Sequence, residues 1–315
     1  MQPVGQQEWE SSLAIRAAWL HYAGGLTQAE VAGRLGVSST KAHRLIAAAN
    51  QSGAVKVTIE GDVVECALLE ARLAETYGLA TCEVVPDLGE SGLPFRALGA
   101  GGAVFLQRAF ARLSGGVIGL GNGRTLSAAV AALPRGPAKG VRFVSLLGGL
   151  TRTFAANPHD VMHRLAEKTG ATAYVMPVPF FANSTEDRDV LLAQRGVGDV
   201  RDLAGGADLM LAGVGTAEMD AQLVTAGVIG AEEMSEVRAA GGVGELLGHF
   251  FDDGGHPVET ALSARTVSPD LVVLRQRRVV ALAGGEAKAA ALRAVLRSGC
   301  LSGLVTDERT ARALG

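Results

Sequence analysis

The sequence predicts an α/β protein in two parts: a helix-turn-helix unit over residues 1–60, then a Rossmann-like parallel-sheet domain over residues 61–315. Three observations carry this expectation. Two capped short helices are written into Leu26–Ile46. From about residue 80, short apolar runs alternate with helical segments of roughly 10–15 residues. Several of those runs end in glycines, where strands of an open parallel sheet give way to loops.

The first helix is expected over 11–24, where Leu13, Ala14, Ala17, Ala18 and Leu20 recur at helical spacing and Gly24-Gly25 stops the pattern. Thr27 opens the second, with Glu30 three residues on in a capping-box arrangement. Its apolar face is Ala29, Val31, Ala32 and Leu35, and Gly36 supplies the turn to the next helix. Ser38 is placed to cap the third helix, in which Ala42, Leu45, Ile46 and Ala49 face inward. Gly53 ends it, and VKVTI (55–59) alternates like a short strand or wing. Residues 65–77 form one more amphipathic helix, suited to a connector or a dimer seam.

Beyond it, the strands are read at VIGL (117–120), VRFVSLL (141–147), ATAYVMPV (171–178), DLMLAGV (208–214), RVVALAG (278–284) and LSGLVTD (301–307). Near-continuous apolar strands alternating with helices argue for a parallel sheet covered on both faces. No apolar run approaches the ~18 residues of a membrane span. The start, MQPVGQQEWE, is polar and acidic, unlike a secretory signal. Cys66, Cys82 and Cys300 are few, odd in number and far apart, which points away from a disulfide framework or thiolate metal site and toward a reducing cytoplasm.

The charge is uneven. Residues 11–59 carry five basic side chains (Arg16, Arg34, Lys41, Arg44, Lys56) against Glu30, whereas residues 60–315 hold 24 basic and 29 acidic ones. A basic head on an acidic body suits nucleic-acid contact confined to the N-terminus. The second helix of a helix-turn-helix pair enters the major groove by its N-terminal residues, which here are Ser39, Thr40, Lys41, His43 and Arg44. Lys41 and Arg44 suit phosphate or guanine, and the shorter three serve as donors or acceptors. Thr27 and Gln28, opening the preceding helix, are placed for phosphates. A plain three-helix packing unit would share the same caps and spacing.

In the larger part, GLGNGRTLSAAVAAL (119–133) reads as strand end, Gly-rich turn and helix, an arrangement that turns backbone N–H groups toward an anion. Gly121, Asn122, Gly123, Arg124 and Thr125 form the turn. The spacing is not the dinucleotide fingerprint, and the lysine of a triphosphate loop is missing, so a small phosphorylated or polyhydroxy ligand fits better. A glycine turn used only for close packing is the alternative. In LAGGEAKAAALRAVLRSG (282–299), Gly284-Gly285 joins strand to helix and Lys288 falls in the first helical turn, where a cation opposes the dipole unless an anion sits nearby. A solvent-exposed lysine is the alternative there. LLGGLTRTFAANP (146–158) and AGVGTAE (212–218) end two more strands in glycines.

His159-Asp-Val-Met-His163 imitates a zinc-protease helix with Asp in place of Glu, and Pro158 is expected at its first helical position. No third ligand is indicated, so no metal is expected. Asp252-Asp253 reads as a polar turn. Serine-nucleophile motifs are missing, and no carboxylate pair is marked out by spacing.

Taken together, the N-terminal stretch 26–59 with GLGNGRTL, LLGG…NP, GELLGHFFDDGG and the closing AGGEAKAAALRAVLRSGCLSGLVTDERTARAL resembles the SorC-type bacterial sugar-binding transcriptional regulators. The likeness covers nearly the whole chain and is most specific in the closing segment. It implies an N-terminal helix-turn-helix that binds double-stranded operator DNA, and an effector domain similar to sugar-phosphate isomerases and glucosamine-phosphate deaminases. It also implies a homo-oligomer, dimer or tetramer, whose DNA affinity changes with a sugar, polyol or sugar phosphate, with no cofactor, no membrane association and no enzymatic activity. By resemblance, Gly123 and Thr125 match the phosphate-contacting loop, Gly149 belongs to the glycine pair, and Asn157 is the polar position after it. Glu245 matches an acid near the sugar, and Lys288 the phosphate-binding lysine. Asn122 stands where many members carry Trp, and Ser39-Thr40 where Arg-Pro is frequent. Residues 37–61 lean toward the regulators of polyol pathways. The alternative class is a sugar-phosphate isomerase or deaminase with an accessory N-terminal domain.

Overall fold

The computed structural model describes residues 4–55, 63–149 and 160–315. It divides into two compact units, with the boundary at Gly61–Asp62. The residues of the expected wing beyond Val55, and Asn157 and His159, lie outside the described residues.

The first unit is three helices: α1 (Val4–Ala18), α2 (Gln28–Leu35) and α3 (Ser39–Gln51). The first begins earlier than its apolar spacing predicts and passes into a π-helical turn, Trp19–Ala23, before Gly24-Gly25. Its opening turns, VGQQEWE, carry almost no apolar stripe, which is why periodicity missed them. Thr27 caps α2 as a full capping box: its hydroxyl accepts the Glu30 N–H while the Glu30 carboxylate accepts the Thr27 N–H. Gly36 follows in the left-handed region (φ 65°), and Ser38 accepts the Lys41 N–H to start α3. Ala14, Ala17, Ala18, Val31, Ala32, Ala42, Leu45, Ile46 and Ala49 make a small core of their own. Mostly alanine, it lets the helices approach closely but contributes modest burial per residue.

The second unit is built on a seven-stranded sheet in the order β1-β11-β10-β5-β2-β3-β4, parallel throughout. Its strands are β1 (Thr81–Val85), β2 (Val117–Leu120), β3 (Arg142–Ser145), β4 (Ala173–Tyr174), β5 (Leu209–Ala212), β10 (Val279–Leu282) and β11 (Gly303–Asp307). All six expected runs contribute a strand, although the run at 171–178 shrinks to two residues and β1 was not anticipated. The central strands are buried on both faces, with residues alternating between two cores. Ile118, Leu120, Leu209, Leu211, Val280 and Leu282 pack beneath α5 (Phe95–Arg112) and α6 (Arg124–Ala132). Met210, Ala212, Val279, Ala281 and Leu304 face α4 (Val64–Tyr77) and the helix Ala289–Arg297.

A second sheet, antiparallel in the order β6-β7-β8-β9, is absent from the sequence-based expectation. Its strands, Gly215–Thr216, Gly244–Leu246, His249–Phe251 and Pro257–Val258, are too short for a period to register. Asp252-Asp253 does form a polar turn: the Asp252 carbonyl accepts the Gly255 N–H, and Asp253 pairs with Arg297. The helix after residue 160 runs over Met162–Thr169, with the Asp160 carboxylate accepting the Met162 N–H; Pro158, expected at its first helical position, lies outside the described residues. Among the described residues, no helix is long and apolar enough to cross a membrane.

Candidate functional site

The chain leaves β2 toward β3 on one side and later returns as β5 on the other, so the strand order reverses between β2 and β5. At such a switch point the loops beyond the carboxyl ends diverge and leave a crevice. The loops after β2, β5 and β10 converge there, and the one after β3 leaves the same sheet edge.

Gly121 continues the β2–β5 ladder by donating its N–H to the Leu211 carbonyl at 2.8 Å. Asn122 is half-buried, and Gly123 (φ 139°) turns the chain into α6. Thr125 is half-buried in the first turn of that helix. Arg124, beside it, is exposed and lies over the Phe95 ring, its Cζ 5.6 Å from the centroid. Gly149 is exposed, the last described residue before the segment 150–159.

Lys288 comes from the loop after β10. It closes a 3₁₀ turn, Glu286–Lys288, and forms the N-cap of the helix Ala289–Arg297, one position ahead of the first turn expected for it. Its Nζ donates to the Val214 carbonyl, just past β5, at 3.0 Å. Burial lowers its pKa, the Arg124 guanidinium lowers it further, and Glu245 opposes both. Glu245 lies on β7 and is 8% exposed. Burial pushes its carboxyl up to about 7, with the Gly248 N–H, the Lys288 charge and the Gly215 backbone holding it back. Its Oε1 accepts the Gly248 N–H at 2.6 Å. Lys288 therefore feels a second cation, Arg124, and a carboxylate that resists ionisation, Glu245, at a helix N-terminus, and such a cluster favours an anion or a polyhydroxy group rich in hydrogen-bonding atoms. Residue spacing had flagged the glycine-ended loop at 212–218, but not the Val214 carbonyl, because a main-chain acceptor has no residue-type signature.

On the first unit, Ser39, Thr40, Lys41, His43 and Arg44 are all exposed, opposite the buried Ala42–Ile46 face of α3. Among the described residues, the Lys41 and Arg44 side chains make no hydrogen bond or ion pair, so both are free donors. The His43 ring lies 3.3 Å from Gln28 Oε1, tying α3 to the start of α2, and the Thr27 hydroxyl is engaged by Glu30. His163 is exposed beside Asp160, and no group of three or more metal-ligating side chains occurs among the described residues.

The family described as "Putative sugar-binding domain" matches residues 61–314. The chain belongs to the SorC family of sugar-binding transcriptional regulators. It is 61% identical to the erythritol catabolism regulatory protein EryD of Brucella abortus, over 97% of this chain and 96% of that one. It is 32% identical to the transcriptional regulator LsrR of Klebsiella pneumoniae, over 97% and 93% of the two chains. The full-length sorbitol operon regulator SorC from Klebsiella pneumoniae superposes with a TM-score of 0.70 at 26% identity, covering 96% of this chain and 98% of that one.

Proposed function

We propose that this regulator controls an operon for polyol catabolism, with erythritol or its monophosphate as effector, and that it is not an enzyme. The observation that carries the reading is the 61% identity to EryD, which spans both units of the chain. Within the reading, Lys41 and Arg44, with Ser39, Thr40 and His43, contact operator DNA, assisted by Thr27 and Gln28 at the start of α2. The effector lies across Gly121–Thr125, Gly149, Asn157, Glu245 and Lys288. The glycine loop and Lys288 hold the anionic or hydroxyl-rich end, and Glu245 and Asn157 bond hydroxyls. The working form is a symmetric dimer or tetramer, since one helix-turn-helix spans only a few base pairs and a two-fold pair reads two half-sites. Erythritol must bind two arrangements of that oligomer unequally to change DNA affinity.

The test is a titration of operator DNA with purified protein, with and without erythritol and its monophosphate, alongside an assay for conversion of either compound. A shift in operator affinity without turnover supports the reading. Turnover of the phosphate would replace it with the isomerase-like alternative.

A further inference from the structure

The turn between β7 and β8 holds two residues, Leu247 and Gly248, both at positive φ (51° and 82°), as a type I′ hairpin turn requires. Glycine takes this conformation readily, whereas a leucine there is strained by its Cβ. Strain of this kind persists only where the surroundings over-determine it. They do so here from three sides. Gly248 donates its N–H to Glu245 Oε1, and its carbonyl accepts the Thr266 hydroxyl at 3.2 Å. The Leu247 side chain is buried against Gly121: a Cβ at residue 121 would lie 3.0 Å from Leu247 Cδ2.

We propose that Leu247 is a positioning residue for the effector: pinned in its strained turn, it presses on Gly121 and fixes where the Gly121–Thr125 loop sits. The inference rests on the effector reading given above. Its logic is steric. The Gly121 N–H is held by the Leu211 carbonyl, but Gly121 has no side chain of its own, and the side chain that packs where its Cβ would stand is Leu247. Leu247 comes from the same hairpin that carries Glu245, so loop and carboxylate move together or not at all.

Two readouts separate this role from ordinary packing. In the ligand-free protein, Leu247→Gly, which relieves the strained φ while removing the side chain, is expected to speed hydrogen exchange at least tenfold at the Gly121 amide, which the Leu211 carbonyl holds. The same variant is expected to weaken the response of operator affinity to erythritol or its monophosphate at least tenfold, with operator affinity in the absence of either unchanged. Leu247→Met, which refills the volume, restores both. Leu274→Ala removes a fully buried leucine far along the chain in Leu271–Gln276, and is expected to lower the melting temperature while leaving both readouts as in wild type. Leu247→Asn, which tolerates positive φ, serves if the glycine variant does not fold. Unchanged exchange at the Gly121 amide in both the glycine and asparagine variants overturns the proposal. Faster exchange in a protein whose wild type responds to neither compound upholds the seating of the loop and overturns the effector reading instead.

Discussion

The two units handle polar groups in opposite ways. The three-helix unit keeps its charged donors outside: Lys41 and Arg44 stand exposed on α3, backed by a core made mostly of alanine. At its candidate site the α/β unit draws polar groups inward instead, with Glu245 buried on β7 and the half-buried Lys288 bonded to the Val214 carbonyl. Exposed donors on a rigid helix suit a large polyanion that supplies the complementary charge itself and is felt through solvent and salt. Buried, pre-bonded charges suit a small ligand that must be recognised with water excluded. The first arrangement is expected to respond to ionic strength, and the second to pH.

That contrast is sharpest in the titration of Glu245. Its carboxyl is raised from the usual 4.5 to about 7, chiefly by burial. Between those values the folded state binds a proton that the unfolded state has lost, so stability falls as pH rises through the window. At ~1.4 kcal/mol per pKa unit the whole effect is on the order of 3 kcal/mol. Urea unfolding of wild type and Glu245→Gln at pH 5 and pH 8 checks it. Wild type is expected to lose about that much relative to the variant on going to pH 8, and parallel behaviour would mean that the carboxylate is solvated. Next in size, Lys288→Ala is expected to weaken binding of erythritol monophosphate by about 1.5–3 kcal/mol, roughly 10- to 150-fold, as a charge-assisted contact is lost. Free erythritol should change by about 1 kcal/mol or less. Calorimetric titration with both compounds reads the difference.

Salt tells what the exposed donors of the three-helix unit meet. Lys41→Ala or Arg44→Ala is expected to cost about 1–3 kcal/mol in operator affinity if the side chain reads a base, and the loss should be confined to particular operator positions. If the side chain meets phosphate, all sequences weaken together and the salt dependence flattens by about one unit of slope. Binding measured over a series of salt concentrations and operator variants distinguishes the two. Neither substitution should alter effector binding.

The same division decides what could be read from sequence. Thr27, Glu30, Gly36 and Ser38 act on backbone groups within a few residues, so local rules placed α2 and α3 and their caps. The buried strands announced themselves as apolar runs, because a parallel sheet covered on both faces needs no alternation. The antiparallel sheet did not, since strands of two or three residues carry no period. Glu245 and Lys288 were picked out by resemblance and by an oddly placed charge, yet what unites them is the β7 hairpin and a main-chain oxygen on Val214, neither of which has a residue signature. Leu247 was invisible for a stronger reason. Local preference argues against a leucine at positive φ, and sequence rules break where tertiary structure imposes a conformation for a purpose.

The smallest expected effect tests whether the helix unit really stands on local contacts. Thr27 closes both halves of the capping box: its hydroxyl accepts the Glu30 N–H at 3.3 Å, and its own N–H donates to Glu30 Oε2 at 2.8 Å. Thr27→Ala removes the first bond, together with the exposed one its hydroxyl donates to Glu30 Oε2, and leaves the second, so the loss should be near the usual cap value, about 1 kcal/mol. Because the core beneath α2 buries only Val31 and Ala32 from that helix, little packing is available to absorb it. The effect should therefore appear as faster amide exchange across Gln28–Leu35, and as a lower melting transition for the three-helix unit. Thr27→Ser, which keeps the acceptor, should recover most of it. If exchange in α2 is unchanged in the alanine variant, the helix is held by its packing against α1 and α3 rather than by its cap. The three-helix unit would then depend on tertiary contacts as the α/β unit does.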